Sequence, residues 1–136
     1  MGIDVVGNRN GWWRVGQYWW HMLADYSHHI APTITASCRY WYTSDEDGLN
    51  ADQACQLGAA LQRSVDDCRI DAYTRQLFAR LCNEKSVPSF VRFDDELFDC
   101  RELPRREQER RFVDEFVSEV QRFIEFLRSC EGFRIQ

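Results

Sequence analysis

The 136 residues carry a formal net charge of -5, with 44% hydrophobic and 29% charged side chains. That balance is globular rather than disordered, and the length suits one ordinary domain with a core of its own. The acidic excess argues against a phosphate backbone as partner, and no apolar run approaches the ~20 residues of a membrane span.

Met1-Gly2-Ile3-Asp4 has neither the basic region nor the apolar run of a secretory leader, and Val6 stands where a myristoylation signal wants Ser or Thr. Ile3-Asp4-Val5-Val6-Gly7 reads as a short β-branched strand closed by glycine, and Asn8 to Gly11 as a turn. Helical spacing runs from about Gln17 to Ile30 and stops at Pro32. Tyr18, Trp19, Met22, Leu23, Tyr26 and Ile30 share a wedge of roughly 140° on that helix. Trp20 falls about 60° beyond Leu23. The phase therefore predicts Trp19 as the more buried of the pair, with Trp20 at an edge, a cleft or a subunit contact.

Cys38 to Tyr42 is aromatic and extended in character, and Ser44-Asp45-Glu46-Asp47-Gly48 is a loop. Asn50-Ala51-Asp52-Gln53 has the form of a capping box, in which the Asn side chain accepts from a helical N–H and Gln reaches back. The helix it starts extends to about Asp66, and Ala54 and Gly58 on its apolar face allow another helix to come close. A third helix is expected from about Asp71 to Glu84, with Tyr73, Leu77, Phe78 and Leu81 inward. Ser86-Val87-Pro88-Ser89 reads as a linker, and Phe90 to Cys100 as strand or irregular chain.

Pro104 suits the first turn of the last helix. In that helix Phe112, Val113, Phe116, Val117, Val120, Phe123, Ile124 and Leu127 fill one face, and Asp114, Glu115, Ser118, Gln121, Arg122 and Glu125 the other. A face this apolar requires cover from other elements. After Gly132, Phe133-Arg134-Ile135 reads as a strand able to pair with Ile3 to Val6. The expected fold is a mostly helical α+β single domain over residues 1–136. About four helices surround the C-terminal one, and a small sheet joins the termini. Six dispersed cysteines without a CxxC pair read as reduced thiols of a cytoplasmic protein, those on helix faces such as Cys68 and Cys82 at least partly buried.

Three constellations bear on chemistry. Asp25 lies four residues after His21, three before His28 and four before His29, so on a helix its carboxylate can accept from any one of them. The bland account is a surface His–Asp pair; the sharper one is a general base or half a metal site. Thr43, Asp45, Asp47 and Gly48 echo the opening of a calcium loop, but Ala54 replaces the closing Glu, so a turn that delivers Asn50 to its cap is the better account. Arg105, Arg106, Arg110 and Arg111 sit among Glu102, Glu107 and Glu109 with i,i+4 spacing, as on a solvated charged helix.

The text MGIDVVG at 1–7, YWWHMLADY at 18–26, WYTSDEDGLNADQA at 41–54 and FIEFLRSCEGFRI at 123–135 resembles a family of small bacterial and phage proteins. Its members open MG(I/V/L)DVYG, continue through a WWWRPLADY-like helix and an NDGDGL-like loop, and finish FLRxxGGFEI. Here His21-Met22 stands for Arg-Pro, and Asp45-Glu46-Asp47-Gly48 for the Asn-Asp-Gly-Asp-Gly step. The paired-CxxC hairpin of many members, similar to a zinc knuckle, is missing, so the zinc it implies does not carry over. The resemblance implies a bacterial, cytosolic setting and supplies no catalytic residue.

The leading expectation is a non-enzymatic module that binds a protein or small ligand, without a cofactor or resident metal. Its working residues are taken as Trp13, Trp20, His21, Asp25, Trp41, Asp45 and Asp47, and exposed aromatics also suit a homodimer contact. The rival expectation is a small metal-assisted hydrolase or transferase built on His21, Asp25 and the acidic loop 45–47.

Overall fold

The computed structural model describes residues 2–9, 11–43, 46–84, 90–93, 96–99 and 103–136, with backbone alone for 90–93 and 96–99. Asp45, the 86–89 linker, Cys100 and the Glu102–Arg106 pairing lie outside the described residues. The element order is β1 (Gly2–Gly7), β2 (Trp12–Gly16), α1 (Gln17–Ile30), α2 (Pro32–Thr35), β3 (Gly48–Asn50), α3 (Ala51–Asp66), α4 (Arg69–Asn83), β4 (Phe90–Phe93), β5 (Glu96–Asp99), α5 (Arg105–Ser129) and β6 (Gly132–Ile135). The fold is α+β and mostly helical. The chain forms two compact units, residues 1–64 with 119–136, and residues 65–118.

In the first unit, four antiparallel strands lie in the order β2-β1-β6-β3. The expected pairing of the termini is present, with Val5 opposite Ile135 and Val6 opposite Arg134. Alternation along the strands sends Ile3, Val5, Val15, Leu49, Phe133 and Ile135 into the core. Asp4, Val6, Trp12, Arg14 and Arg134 take the opposite parity, and so share the outer face. The C-terminal part of α5 lies against the inner face, where Trp13 stacks on Phe123 at 5.6 Å and Phe123 meets Phe133 edge-on at 6.1 Å. α3 approaches the end of α5 at Gly58, where an added Cβ would lie 3.4 Å from the Leu127 side chain.

The start of α3 is the expected capping box. The Gln53 N–H donates to Asn50 Oδ1 at 2.9 Å, and the Asn50 N–H donates to Gln53 Oε1 at 3.0 Å. Gly48 is required for a different reason than a calcium loop would give. A Cβ there would sit 1.7 Å from the Phe133 carbonyl oxygen, so β3 and β6 can lie side by side only with glycine at 48. Gly132 combines φ +91° with a crowded Cβ direction, 2.5 Å from Asn8 Nδ2 and 2.7 Å from the Leu49 carbonyl oxygen.

Cys38 to Tyr42 is not a strand but a series of bends after α2. β2 has no counterpart among the elements expected from sequence: Trp12–Gly16 is the return strand of a hairpin with β1. In the second unit, α4 and the N-terminal part of α5 meet through Phe78 and Phe112, with centroids 5.5 Å apart, and through Tyr73 and Phe116 at 6.5 Å. The β4–β5 hairpin belongs to the same unit. Glu115, placed by periodicity on the polar side of α5, is buried.

Candidate functional site

The residues singled out from sequence in the first unit converge on α1 and the bends that follow α2, and most of them prove to be structural. Trp20 is 0% exposed, and Trp41 1%. Their rings stack with centroids 5.9 Å apart, and the Trp20 indole N–H donates to the Trp41 carbonyl at 2.6 Å. The Trp41 indole N–H in turn donates to the Thr35 carbonyl at 3.0 Å. Trp20 also meets Phe123 edge-on at 5.7 Å, so Trp13, Phe123, Trp20 and Trp41 form one continuous aromatic series inside the unit.

The expected order of burial for the two tryptophans is therefore reversed. Trp19 is only half-buried, against Tyr18 at 5.3 Å, and Tyr18 is exposed. The buried arc of α1 includes Ala24 and Ser27, on the side of Trp20. Ser27 satisfies its hydroxyl on the Leu23 carbonyl at 2.8 Å. Trp19 sits in the first turn, before that cover begins. Neither Trp20 nor Trp41 presents a working surface.

His21, Asp25 and His28 lie at i, i+4 and i+7, one stripe of α1, and Tyr42 leans over it. The Tyr42 hydroxyl donates to Asp25 Oδ1. The His21 ring stands edge-on to Tyr42 at 5.4 Å, while His28 meets Trp41 edge-on at 5.4 Å and lies 6.1 Å from Tyr42. His21 Nε2 is buried and has no hydrogen-bond partner among the described residues. The carboxylate thus serves a phenol, and the pairing of Asp25 with a histidine expected from the spacing does not form here. Among the described residues, no group of three or more His, Cys, Asp or Glu side chains is placed to hold a metal ion.

Asp47 organises the loop from within. Its Oδ2 accepts from the N–H groups of Arg39 at 2.7 Å and Tyr40 at 3.2 Å, and its Oδ1 accepts from the Gly48 N–H at 2.9 Å. Burial pushes Asp47 up, but these donors and the Cys38 thiol outweigh it and hold the carboxyl below its ordinary value. Burial first, and the Asp47 charge second, push Cys38 up to about 12, so that thiol stays protonated. The acidic loop spends this carboxylate on its own backbone.

The side chains left facing outward are others. Among the described residues, Trp12, Tyr18, Tyr40 and Tyr42 are the large exposed hydrophobic ones, with Trp12 the most open at 62%. The hairpin signal that could have identified Trp12 was the turn at Asn8–Gly11, followed by alternation of Trp12, Arg14 and Gly16 with Trp13 and Val15. Trp12 and Trp13, together with Arg122, Glu125, Phe126 and Ser129, line a shallow groove where β2 borders α5. In the second unit, Glu107 pairs with Arg111 at the i,i+4 spacing the sequence implied and also with Arg110 at i,i+3, and Arg75 lies 3.8 Å from Glu109. No helix among the described residues is long and apolar enough to cross a membrane. The chain matches no protein-family model, no curated protein and no solved structure.

Proposed function

We propose that this chain is a non-enzymatic protein-binding module of the bacterial cytoplasm, and that it binds through the outer sheet face and the edge of β2. The observation that carries the reading is Trp12. Its indole is 62% exposed at the sheet margin, opposite Val6, which is itself opposite Arg134. Covering an indole of this openness removes on the order of 100–150 Å² of apolar surface from water, about 3 kcal/mol of association free energy. Aromatic and arginine side chains are the types that carry binding energy at protein interfaces, and Trp12 stands beside Arg14. Of the aromatic residues first expected to do this work, Trp20 and Trp41 are consumed by the core, while Trp13 is half-buried against Phe123. Asp25 and Asp47 are likewise engaged, by Tyr42 and by the loop backbone.

A photo-crosslinking phenylalanine analogue at position 12, irradiated in cells, tests the reading. The expected product is a discrete protein adduct from position 12 and none from position 63, an exposed site on α3. Equal or absent crosslinking at the two positions would overturn it.

A further inference from the structure

We infer that the partner at this surface is a second copy of the chain, joined β2 to β2 about a two-fold axis at Trp13. This rests on the reading of the Trp12 surface given above. The Gly7 N–H donates to the Gly11 carbonyl at 2.8 Å, which makes Gly7 and Gly11 a hydrogen-bonded pair of the hairpin. Pairs alternate along an antiparallel ladder, so Val5–Trp13 and Ile3–Val15 are hydrogen-bonded pairs too. Trp13 and Val15 therefore turn their N–H and C=O groups toward β1. Trp12 and Arg14 turn theirs away from the sheet, on a strand that is last in its order, and both residues are exposed. This is an edge able to template another strand.

Self-pairing has a register that suits the charges. With Trp13 on the axis, Trp12 stands opposite Arg14 of the second copy, and the two exchange both backbone hydrogen bonds, four across the axis. On the outer face, each Arg14 then has Asp4 on one side, 3.3 Å away within its own chain, and the second copy's indole on the other. That arrangement places a guanidinium beside an aromatic ring and covers the exposed Trp12 between Val6 and an arginine. The neighbouring register, with Arg14 on the axis, sets two arginines directly opposite and is disfavoured. On α5, the charged residues lining the groove beside Trp12 and Trp13 are Arg122 and Glu125, of opposite sign, so a two-fold axis does not force like charges together there. The product is a continuous eight-stranded sheet with the isologous contact of a two-fold dimer.

Sedimentation equilibrium of the full chain should show a monomer–dimer system. Arg14→Pro deletes an outward N–H that the monomer ladder does not use, and should weaken association by about tenfold or more. Arg14→Ala keeps the N–H and should weaken it less. Thermal melts of each variant verify folding. The register is read by oxidation, in a background with the exposed Cys55 and Cys68 replaced by Ser. Residues opposite one another in a hydrogen-bonded pair have Cα atoms about 5.5 Å apart, within disulfide reach. A mixture of Trp12→Cys and Arg14→Cys chains should give a covalent dimer, and neither alone should. A monomer at every accessible concentration overturns the inference, and so does crosslinking by either variant alone in preference to the mixture. If the position-12 photo-crosslink then captures a different protein, the binding surface stands and only the self-pairing fails. If it captures nothing, both fail.

Discussion

The indole N–H of Trp20 donates to the carbonyl of Trp41, while the two rings lie face to face 5.9 Å apart. One contact thus closes the bends after α2 onto α1 and also satisfies a buried polar group. Trp20→Ala should destabilise the protein by about 3–5 kcal/mol, as core tryptophan truncation does. Trp20→Phe should recover part of this, leaving about 1–3 kcal/mol for the orphaned carbonyl. Trp19→Ala should cost less than either Trp20 substitution. Urea denaturation of the three variants measures the order, and a larger loss for Trp19 would contradict the assignment.

Gly48 supports a close approach between β3 and β6. Because its Cβ direction points into the Phe133 carbonyl, Gly48→Ala cannot be absorbed by a side-chain shift and must part β3 from β6. The loss should exceed the roughly 1–3 kcal/mol typical of overpacked sites. The Ile135 N–H, which donates to the Asp47 carbonyl at 2.8 Å, is the local reporter. Its hydrogen exchange should accelerate in the variant well beyond that of the Val5–Trp13 ladder.

These two positions also show how far the sequence is legible. The capping box at Asn50 and Gln53 could be read because its chemistry is local, three residues apart with a fixed division of donor and acceptor. The terminal strands could be read because β-branched and aromatic runs bounded by glycine favour one partnership. The burial of Trp20 could not be read from hydrophobic phase. It depends on the bends after α2, which bring Trp41 onto Trp20, and on Phe123 of α5, both distant in sequence. The role of Gly48 was equally hidden, since it is dictated by the backbone of a strand 84 positions later in the order Gly48–Gly132. The engagement of Asp25 by Tyr42 likewise spans a loop whose path no local pattern encodes.

The pair Cys38 and Asp47 should shape stability at both ends of the pH range. Asp47 is depressed in the folded state below the ordinary 3.8, so as pH falls through that region the unfolded chain takes up the proton first. Stability present above pH 3.8 is then lost on acidification. Cys38 is raised from 9.0 to about 12, so the unfolded chain releases its proton first, and stability present below pH 9.0 declines as pH rises toward about 12. Asp47→Asn should flatten the acid limb, and Cys38→Ala the alkaline limb, of a plot of unfolding free energy against pH. Unchanged slopes would refute the assignment.

Thiol reactivity should divide by burial. Cys38, Cys55, Cys68, Cys82 and Cys130 are free; Cys38 and Cys130 are buried, Cys82 is partly so, and Cys55 and Cys68 are exposed. The exposure of Cys68 corrects its expected burial: it precedes α4 in a left-handed conformation with φ 63°, rather than on a helix face. Mass mapping of the native protein after a short treatment with a thiol reagent should find label at Cys55 and Cys68. Cys38 and Cys130, both pushed up by burial, should be labelled only after unfolding. Early label at Cys38 would mean that the bends around Asp47 open readily.

The Tyr42–Asp25 bond distinguishes a structural clasp from an available acid. Asp25 is exposed and Tyr42 is 42% exposed, so water competes for both partners and the contribution should be modest. Tyr42→Phe and Asp25→Asn should each cost about 1 kcal/mol or less, and a double-mutant cycle should return a coupling on the order of 0.5–1 kcal/mol. The aromatic body of Tyr42 also contacts His21 and His28, so Tyr42→Ala should cost more than Tyr42→Phe. Its effect should reach the His21 and His28 ring protons, whose chemical shifts depend on the current of the neighbouring ring. Histidine spectra of the two variants separate hydroxyl from ring: Tyr42→Phe should leave both signals close to their original positions, and Tyr42→Ala should move both. Zero coupling in the cycle, with unmoved histidine signals in Tyr42→Ala, would show that the clasp is not formed in solution and that Asp25 is free to serve another partner.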